Sequence, residues 1–387
     1  MYDAISTKIL KLSGPFISSP INYICNKMLF WGVFLDRLKY AIIQPLHKND
    51  DRCDVPKHRP VSLLTSFSKI FETLIQRRIL KHLTKYNILS NEQYGFRLGF
   101  RTDNTTYKLT TEILNAMNHK LLAGGIFCDL EKAFDCVNHD ILLSKMKFYG
   151  ISDKDLTLYQ SYLNNRYCRT AIYNVSENSN KVSNWAKVRH GVPQGSVLGP
   201  LFFLLYINDL SKIINKTLAP IIFADDTSIL FTNSNLIDFN KNSHIVFTTL
   251  NKWLRANKLS LNFSKTNYVH FTTERNMTVS LKIGFNNNFI TNSSNTKFLG
   301  VTMDNTLSWN NHIDLLVRKL STACYINRNA KTYMSAASLK MIYYAFFHLA
   351  MRYGIIFWGN SLHTSTIFRI QKKAIRLMEG CGNRVSC

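Results

Sequence analysis

The sequence predicts an α+β fold, and three stretches carry that prediction. Residues 221–231 read IIFADDTSILF: two apolar runs rich in β-branched and aromatic residues flank Asp225-Asp226, the pattern of a β-hairpin turning on two carboxylates. Residues 123–130 (AGGIFCDL) form a second strand, entered through two glycines and ending at Asp129. Between Val61 and Leu83, the side chains Leu64, Phe67, Phe71, Leu74, Ile75, Ile79 and Leu83 recur at helical spacing. At 387 residues, 46% hydrophobic and 12% aromatic, the chain can bury a large core divided over two or three subdomains.

Charge narrows the class of partner. Lys and Arg number 48 against 24 Asp and Glu, a formal net charge of +24, which favours a polyanion, with nucleic acid ahead of an anionic membrane surface. Acids are scarce, so the places where they gather are informative. The eight cysteines make no C-x-x-C pair and no Cys/His ladder, which reads as reduced thiols in an intracellular protein without structural zinc. Residues 1–20 lack the basic and apolar regions of a signal peptide. The apolar run 197–207 is too short to span a bilayer. The run 343–358 is interrupted by His348, Arg352 and Gly354 and reads as a buried helix and strand.

Taken in order, the first fifty residues are helical and then extended, with a strand over 40–46. A polar loop runs through Lys57-His58-Arg59-Pro60 into the long helix, whose Lys69, Arg77, Arg78 and Lys81 lie off the apolar stripe. Residues 91–102 (NEQYGFRLGFRT) make a Gly-punctuated loop with two arginines and three aromatics. Such a loop can clasp a phosphate or stack a base, and it can equally be a packed turn. A helix over 105–121 precedes the Asp129 strand. A lone carboxylate at the end of a buried strand is a poor choice unless it binds something, either a ligand or a nearby Lys. Asp140 is the expected N-cap of a helix over 141–148.

Residues 172–183 predict a hairpin. Residues 190–200 (HGVPQGSVLGP) are too rich in Gly and Pro for regular structure and deliver the chain into an apolar helix over 201–210. Gly195 lets a partner approach the backbone, and no Walker pattern follows. Beyond the Asp225-Asp226 hairpin, Val246, Leu250, Trp253 and Leu254 share one helical face. Residues 258–271 read as strand, loop and strand with Lys265 in the loop, and 297–303 as a further strand. A helix over 312–323 and a basic, aromatic, mostly helical remainder end in an amphipathic helix over 367–378.

The carboxylates decide the chemistry. If the strands ending at Asp129 and Asp225-Asp226 are neighbours in one sheet, three acids converge. Two carboxylates this close repel unless a cation, a proton or solvent relieves them. A hairpin tip in solvent satisfies that condition, and so does a metal. All-oxygen ligands suit Mg²⁺, and a pair of such ions serves in-line displacement at phosphorus. Basic charge for nucleic acid plus acids for metal predict phosphoryl transfer, without separating a nuclease from a polymerase.

The motifs GIFCDLEKAFDCVNHDILLSKM, HGVPQGSVLGPLFFLLYINDL and FADD, in that order, resemble the reverse transcriptase of non-LTR (LINE-type) retrotransposons, with jockey-type insect elements as the nearest likeness. HRPVSLLTSFSKIFETLIQRRI and NEQYGFRLGFRT resemble that family's fingers motifs; LNKWLRANKLSLNFSKT and KFLGVTMDNTLSWNNHI its later palm motifs; YYAFFHLAMRYGIIFWGNS and RIQKKAIRLM its thumb. The resemblance implies a right-hand polymerase. A helical extension would occupy 1–28, fingers 29–122, a palm of antiparallel sheet flanked by helices 123–305, and a C-terminally truncated helical thumb 306–387.

It further implies that Asp129, Asp225 and Asp226 hold two Mg²⁺ ions, Asp226 more weakly, with the backbone carbonyl of Leu130 assisting. Phe134 matches the steric gate that excludes a 2′-hydroxyl, though a core aromatic would look the same. Gln194 and Gly195 match the loop lining the nascent base pair, and Arg59 a triphosphate grip. Lys265 matches a lysine that protonates the leaving pyrophosphate, a place a solvated loop lysine could also fill. Arg97 matches a nucleic-acid backbone contact. The implied partners are an RNA template, a DNA primer and dNTPs, with no membrane. An endonuclease domain encoded upstream is a further implied partner, and target-primed synthesis implies nuclear action, with the RNA complex in the cytoplasm.

Some features depart from the pattern. The family's upstream endonuclease has no counterpart here. The residue before Arg59-Pro60 is His58, and Arg101 stands where a serine is common. Met1 falls within the region preceding the fingers and Cys387 within the thumb, so the alternative expectation is an inactive remnant that only binds RNA.

Overall fold

The computed structural model describes residues 5–48, 53–174, 178–214, 219–273 and 281–381. The N-terminal helix α1 (Thr7–Trp31), capped by the Ser6 side chain, leads into strand β1 (Tyr40–His47), which pairs antiparallel with β2 (His58–Leu63). The expected loop through Arg59-Pro60 is therefore a strand. Pro45 and Pro60 face each other in the register. The two residues without an amide hydrogen share one rung, and the ladder survives on either side. Helix α2 (Ser66–Lys85), capped by Thr65, and α3 (Thr102–Asn118) follow.

Strand β3 (Leu122–Cys128) is followed by α4 (His139–Phe148), α5 (Asp153–Leu163) and strands β4 (Arg166–Asn174), β5 (Ser179–Val182) and β6 (Ala186–Val188). Asn138, not Asp140, caps α4 by accepting from Ile141 N at 3.1 Å; Asp140 lies inside the first turn. The expected hairpin is β4–β5, and β4 also pairs parallel with β1, so the first sheet runs β2-β1-β4-β5 with β6 beside β4. Helix α6 (Leu198–Ile207) begins before Pro200, not after it; a proline in the first turn removes an N–H that has no helical acceptor anyway. The short α7 (Leu210–Ile213) follows.

The second sheet holds the acids. Strands β7 (Ala219–Phe223) and β8 (Asp226–Asn233) form the predicted hairpin, helix α8 (Leu236–Ala256) follows, and β9 (Asn267–Phe271) returns to the sheet. The short pairs β10 (Gly284–Phe285) and β11 (Asn288–Phe289) precede β12 (Thr291–Asn292), which adds to β9, giving the order β12-β9-β3-β8-β7. Successive side chains of β3 point to opposite faces. Ile126 and Cys128 join one core with Phe202, Phe239 and Phe247, while Ala123 and Phe127 join the other with Ile313, Leu320 and Phe347. The sheet is thus covered by helices on both faces.

Residues 297–303 are not one strand. Strands β13 (Asn295–Phe298) and β14 (Val301–Asp304) form a hairpin turned at Leu299-Gly300, both in the left-handed region at φ 43° and 85°. The rest is helical: α9 (Asn310–Ala330), α10 (Ala336–Ile342), a π-helical turn over Tyr343–His348, α11 (Leu349–Arg352), α12 (Ile355–Trp358) and α13 (Thr364–Glu379). The strand expected within 343–358 does not form. That stretch packs Tyr343, Phe347 and Trp358 into the second core as helical turns. No helix among the described residues is long and apolar enough to cross a membrane, and no disulfide joins the described cysteines.

Candidate active site

Strands β3 and β8 are direct antiparallel neighbours, with Cys128 opposite Thr227 as the last rung. One step beyond that rung stand Asp129 on one strand and Asp226 on the other, and Asp225 occupies the β7–β8 turn with Ala224. The sequence condition is met: acids about a hundred residues apart gather at one end of one sheet. Asp129 and Asp225 are half-buried and Asp226 is exposed.

Their electrostatics report crowding. Burial, then the neighbouring charge of Asp129, raises Asp225 above the usual carboxylate range, against the pull of Arg59 and Lys48. Asp226 keeps a side open to solvent, yet the protein packed around its carboxyl strips part of its hydration; that desolvation first, then Asp225 and Asp129, push it up to about 6, with Lys48 opposing. These are carboxylates short of positive charge. Among the described residues no three His, Cys, Asp or Glu side chains close into a ready-made metal cage. The donor set is nonetheless all oxygen, and the mutual repulsion is what a hard divalent cation relieves.

Lys265 reaches the same place. Its Nζ lies 3.8 Å from Asp129 Oδ2. The loop that carries it is stitched to the end of β3: Asn262 N donates to Asp129 O at 2.8 Å, Glu131 N to Ser260 O at 2.9 Å, and Asp129 N to Thr266 Oγ1 at 3.2 Å. Leu130 makes an isolated bridge with Leu261. This bridge replaces the longer strand expected after Lys258.

Phe134 and the loop of Gln194 and Gly195 are bonded to each other. Gln194 Nε2 donates to Asp135 Oδ1 at 3.0 Å, and Val192 N to Phe134 O at 2.9 Å. Ser62 N of β2 donates to Gln194 O at 2.7 Å, which ties the loop to the strand bearing Arg59. Gly195 is exposed at φ 105°, and a Cβ there would meet Ser62 O at 2.9 Å, so only glycine fits both the turn and the contact. The Phe134 ring stacks on Phe203 with centroids 4.6 Å apart and meets Phe96 edge-on. It is a partly buried aromatic with one side toward the loop of residues 91–102.

Arg97, expected as a nucleic-acid backbone contact, is engaged within its own loop. Its guanidinium donates to Ser90 O at 2.5 Å and Gln93 O at 3.0 Å and covers the Phe100 ring, so its hydrogen bonds serve its own loop.

Four supporting residues had no local signal. Lys48 acts on both turn acids through space. Asp135 orients Gln194. Glu72, fully buried in α2, accepts from Ser68 Oγ, Tyr162 Oη and the N–H groups of Val197 and Leu198. Gln93, also fully buried, accepts from Ala224 N. Each works across the tertiary structure, where a reading based on spacing has no purchase.

Residues 46–303 match the family described as reverse transcriptase (RNA-dependent DNA polymerase), a span containing every site residue above. In Drosophila melanogaster, the probable RNA-directed DNA polymerase from transposon BS is 30% identical over 92% of this chain and 40% of its own length. The corresponding proteins of the X-element and of mobile element jockey are each 29% identical over 98% of this chain and 42% of theirs. The chain thus spans about two fifths of the curated relatives it matches. Among solved structures, apo telomerase from Candida tropicalis, truncated from its C-terminal domain, superposes with TM-score 0.48 at 13% identity, over 70% of this chain and 54% of that one. On the family match and these relatives, the chain belongs to the reverse transcriptases, with a domain closely related to those of the Drosophila jockey, BS and X-element non-LTR retrotransposons.

Proposed function

We propose that this chain is an RNA-directed DNA polymerase that extends a primer on an RNA template from dNTPs. The observation that carries the reading is the gathering of Asp129, Asp225 and Asp226 at one sheet end, with Lys265 beside Asp129 and Arg59 and Lys48 acting on Asp225. Asp129 and Asp225, with Asp226 and the Leu130 carbonyl, are the groups that would hold Mg²⁺. Bound there, such ions supply charge neutralisation at the oxygens of an in-line displacement.

The remaining roles fall to the chain's own side chains. Arg59, exposed on β2, is the residue that grips the triphosphate on this reading. Lys265 is the proton donor to departing pyrophosphate. Phe134 sits under the sugar, and Gln194 and Gly195 line the nascent pair. Catalysis on this reading is positioning plus electrostatics. The subdomains follow the same reading: fingers to residue 122, palm to 305 and thumb beyond, after a helical extension over 1–28, with nucleic acid crossing between them. On this reading the chain acts in the nucleus during target-primed synthesis, with its RNA complex in the cytoplasm.

The test is extension of a DNA primer on an RNA template with Mg²⁺ and dNTPs. Wild-type extension abolished by Asp225→Ala supports the reading. Extension that survives Asp225→Ala removes the assignment of the acids. RNA binding without extension favours an inactive RNA-binding chain, and cleavage without dNTPs a nuclease.

A further inference from the structure

We propose that Gln93 is a positioning residue for Asp225, acting through the backbone of Ala224; the inference rests on the polymerase reading above. Gln93 lies in a loop whose composition suits either a nucleic-acid contact or a packed turn, and it is 1% exposed. Its Oε1 accepts from Gly95 N at 2.8 Å and from Ala224 N at 3.0 Å. The main chain follows the same path. Tyr94 N donates to Ile222 O at 2.8 Å and Ile222 N to Glu92 O at 2.9 Å, with Gln93 bridged in parallel to Ile222. The loop is laid along the free edge of β7 and ends on the turn that carries the acids.

Two further observations make the contact specific. Ala224 holds φ 56°, a left-handed conformation unfavourable for a residue with a β-carbon. Such a conformation persists where surrounding bonds enforce it, and the Gln93 bond is made to that residue's own amide. Gly95 lies so close to Ala224 N that a Cβ at position 95 would overlap it, so the loop presses directly on the turn. Meanwhile Gln93 Nε2 is buried without a partner among the described residues. An apolar side chain of this size would avoid that cost but would leave the Ala224 and Gly95 amides unanswered. The amide at 93 is thus kept for its acceptor.

The consequence is geometric. The Phe223–Asp226 rung holds the far side of the turn, and Gln93 holds the near side. Releasing the near side frees the peptide between Phe223 and Ala224, lets Ala224 leave its left-handed conformation, and so swings the Asp225 carboxylate that follows. Displacement by about 1 Å is enough for a loss of roughly 10²-fold in rate.

The test compares wild type with Gln93→Met, which keeps the volume and loses the acceptor. Gln93→Asn, one methylene shorter, is a milder withdrawal should the first variant fold poorly. Gln93→Glu keeps the acceptor. In either withdrawal variant, exchange of the Ala224 amide is expected to accelerate by about tenfold or more while that of Ile222, held by Glu92 O, is unchanged. The kcat for nucleotide addition falls about 10- to 100-fold, with KM for dNTP and affinity for the RNA–DNA duplex within about threefold. Gln93→Glu retains slow exchange. Unchanged Ala224 exchange overturns the proposal, as does fast exchange with unchanged kcat. If wild type extends no primer, the polymerase reading falls by itself. The assignment of Gln93 is then decided by exchange and by Mn²⁺ affinity measured by electron paramagnetic resonance: about tenfold weaker binding in the withdrawal variants supports it, and equal binding overturns it.

Discussion

Glu72 Oε2 accepts from Val197 N at 2.6 Å, so a carboxylate enclosed in one helix fastens the first turn of another. Leu198 N approaches the same oxygen at 3.4 Å, and Ser68 and Tyr162 hydroxyls donate to Oε1. The N-terminus of α6 and the loop carrying Gln194 and Gly195 therefore depend on a residue in α2.

Burial raises the Glu72 pKa, against the attraction of Arg166 and the Val197 amide. A raised folded-state value means ionisation opposes folding. The stability associated with the protonated form is present below the ordinary carboxylate value and is lost as pH rises through the folded one. Urea unfolding across pH is expected to show that decline in wild type and a flatter profile in Glu72→Gln. Glu72→Ala strands several buried donors at once and is expected to cost about 3–5 kcal/mol. A loss below about 1 kcal/mol would show that the network contributes little.

The pH dependence of nucleotide addition should reflect the turn acids. Asp226 is pushed up to about 6 and Asp225 is also raised, so protonation at mildly acid pH competes with cation binding. Extension rate is expected to climb through about pH 6 at low Mg²⁺, and the midpoint to move lower as Mg²⁺ is raised. A midpoint indifferent to Mg²⁺ would separate the titration from the metal.

Lys265 is largely exposed and pairs with Asp129 at 3.8 Å, so its loss should scarcely affect folding. If it delivers a proton, Lys265→Ala lowers kcat by about 10²-fold with Tm shifted little. Lys265→Arg restores charge but not acidity and so recovers little of the rate. Full recovery by arginine in single-turnover kinetics would reduce Lys265 to a charge partner.

Phe134 has its ring supported by Phe203 at 4.6 Å. Phe134→Val removes bulk from the side facing the loop of residues 91–102. Incorporation of ribonucleotides relative to deoxynucleotides is expected to rise roughly 10- to 100-fold, measured by competition on one template. An unchanged ratio would leave Phe134 as a packing residue only.

Much of this site was legible because its signals are local. Strand formers around Asp225-Asp226 and a glycine-led strand ending at Asp129 state where carboxylates are and which secondary structure holds them. The helical stripe through Phe71, Ile75 and Ile79 likewise names its buried face. What escaped is decided by partners. The second strand forms through Arg59-Pro60 because β1 supplies a register with proline opposite proline. The Leu299-Gly300 turn places a leucine in the left-handed region, which propensity disfavours. Gln93 resembles a loop polar residue until Ala224 is set beside it.

The strand order β12-β9-β3-β8-β7 has a consequence for synthesis. Both neighbours of β3 lie roughly a hundred residues or more downstream, so a nascent chain that has just released α6 exposes an apolar, glycine-bearing ribbon with two open edges. Until β9 leaves the ribosome, that ribbon stays available to pair wrongly with other chains, and its protection in the cell falls to chaperones and to the rate of translation.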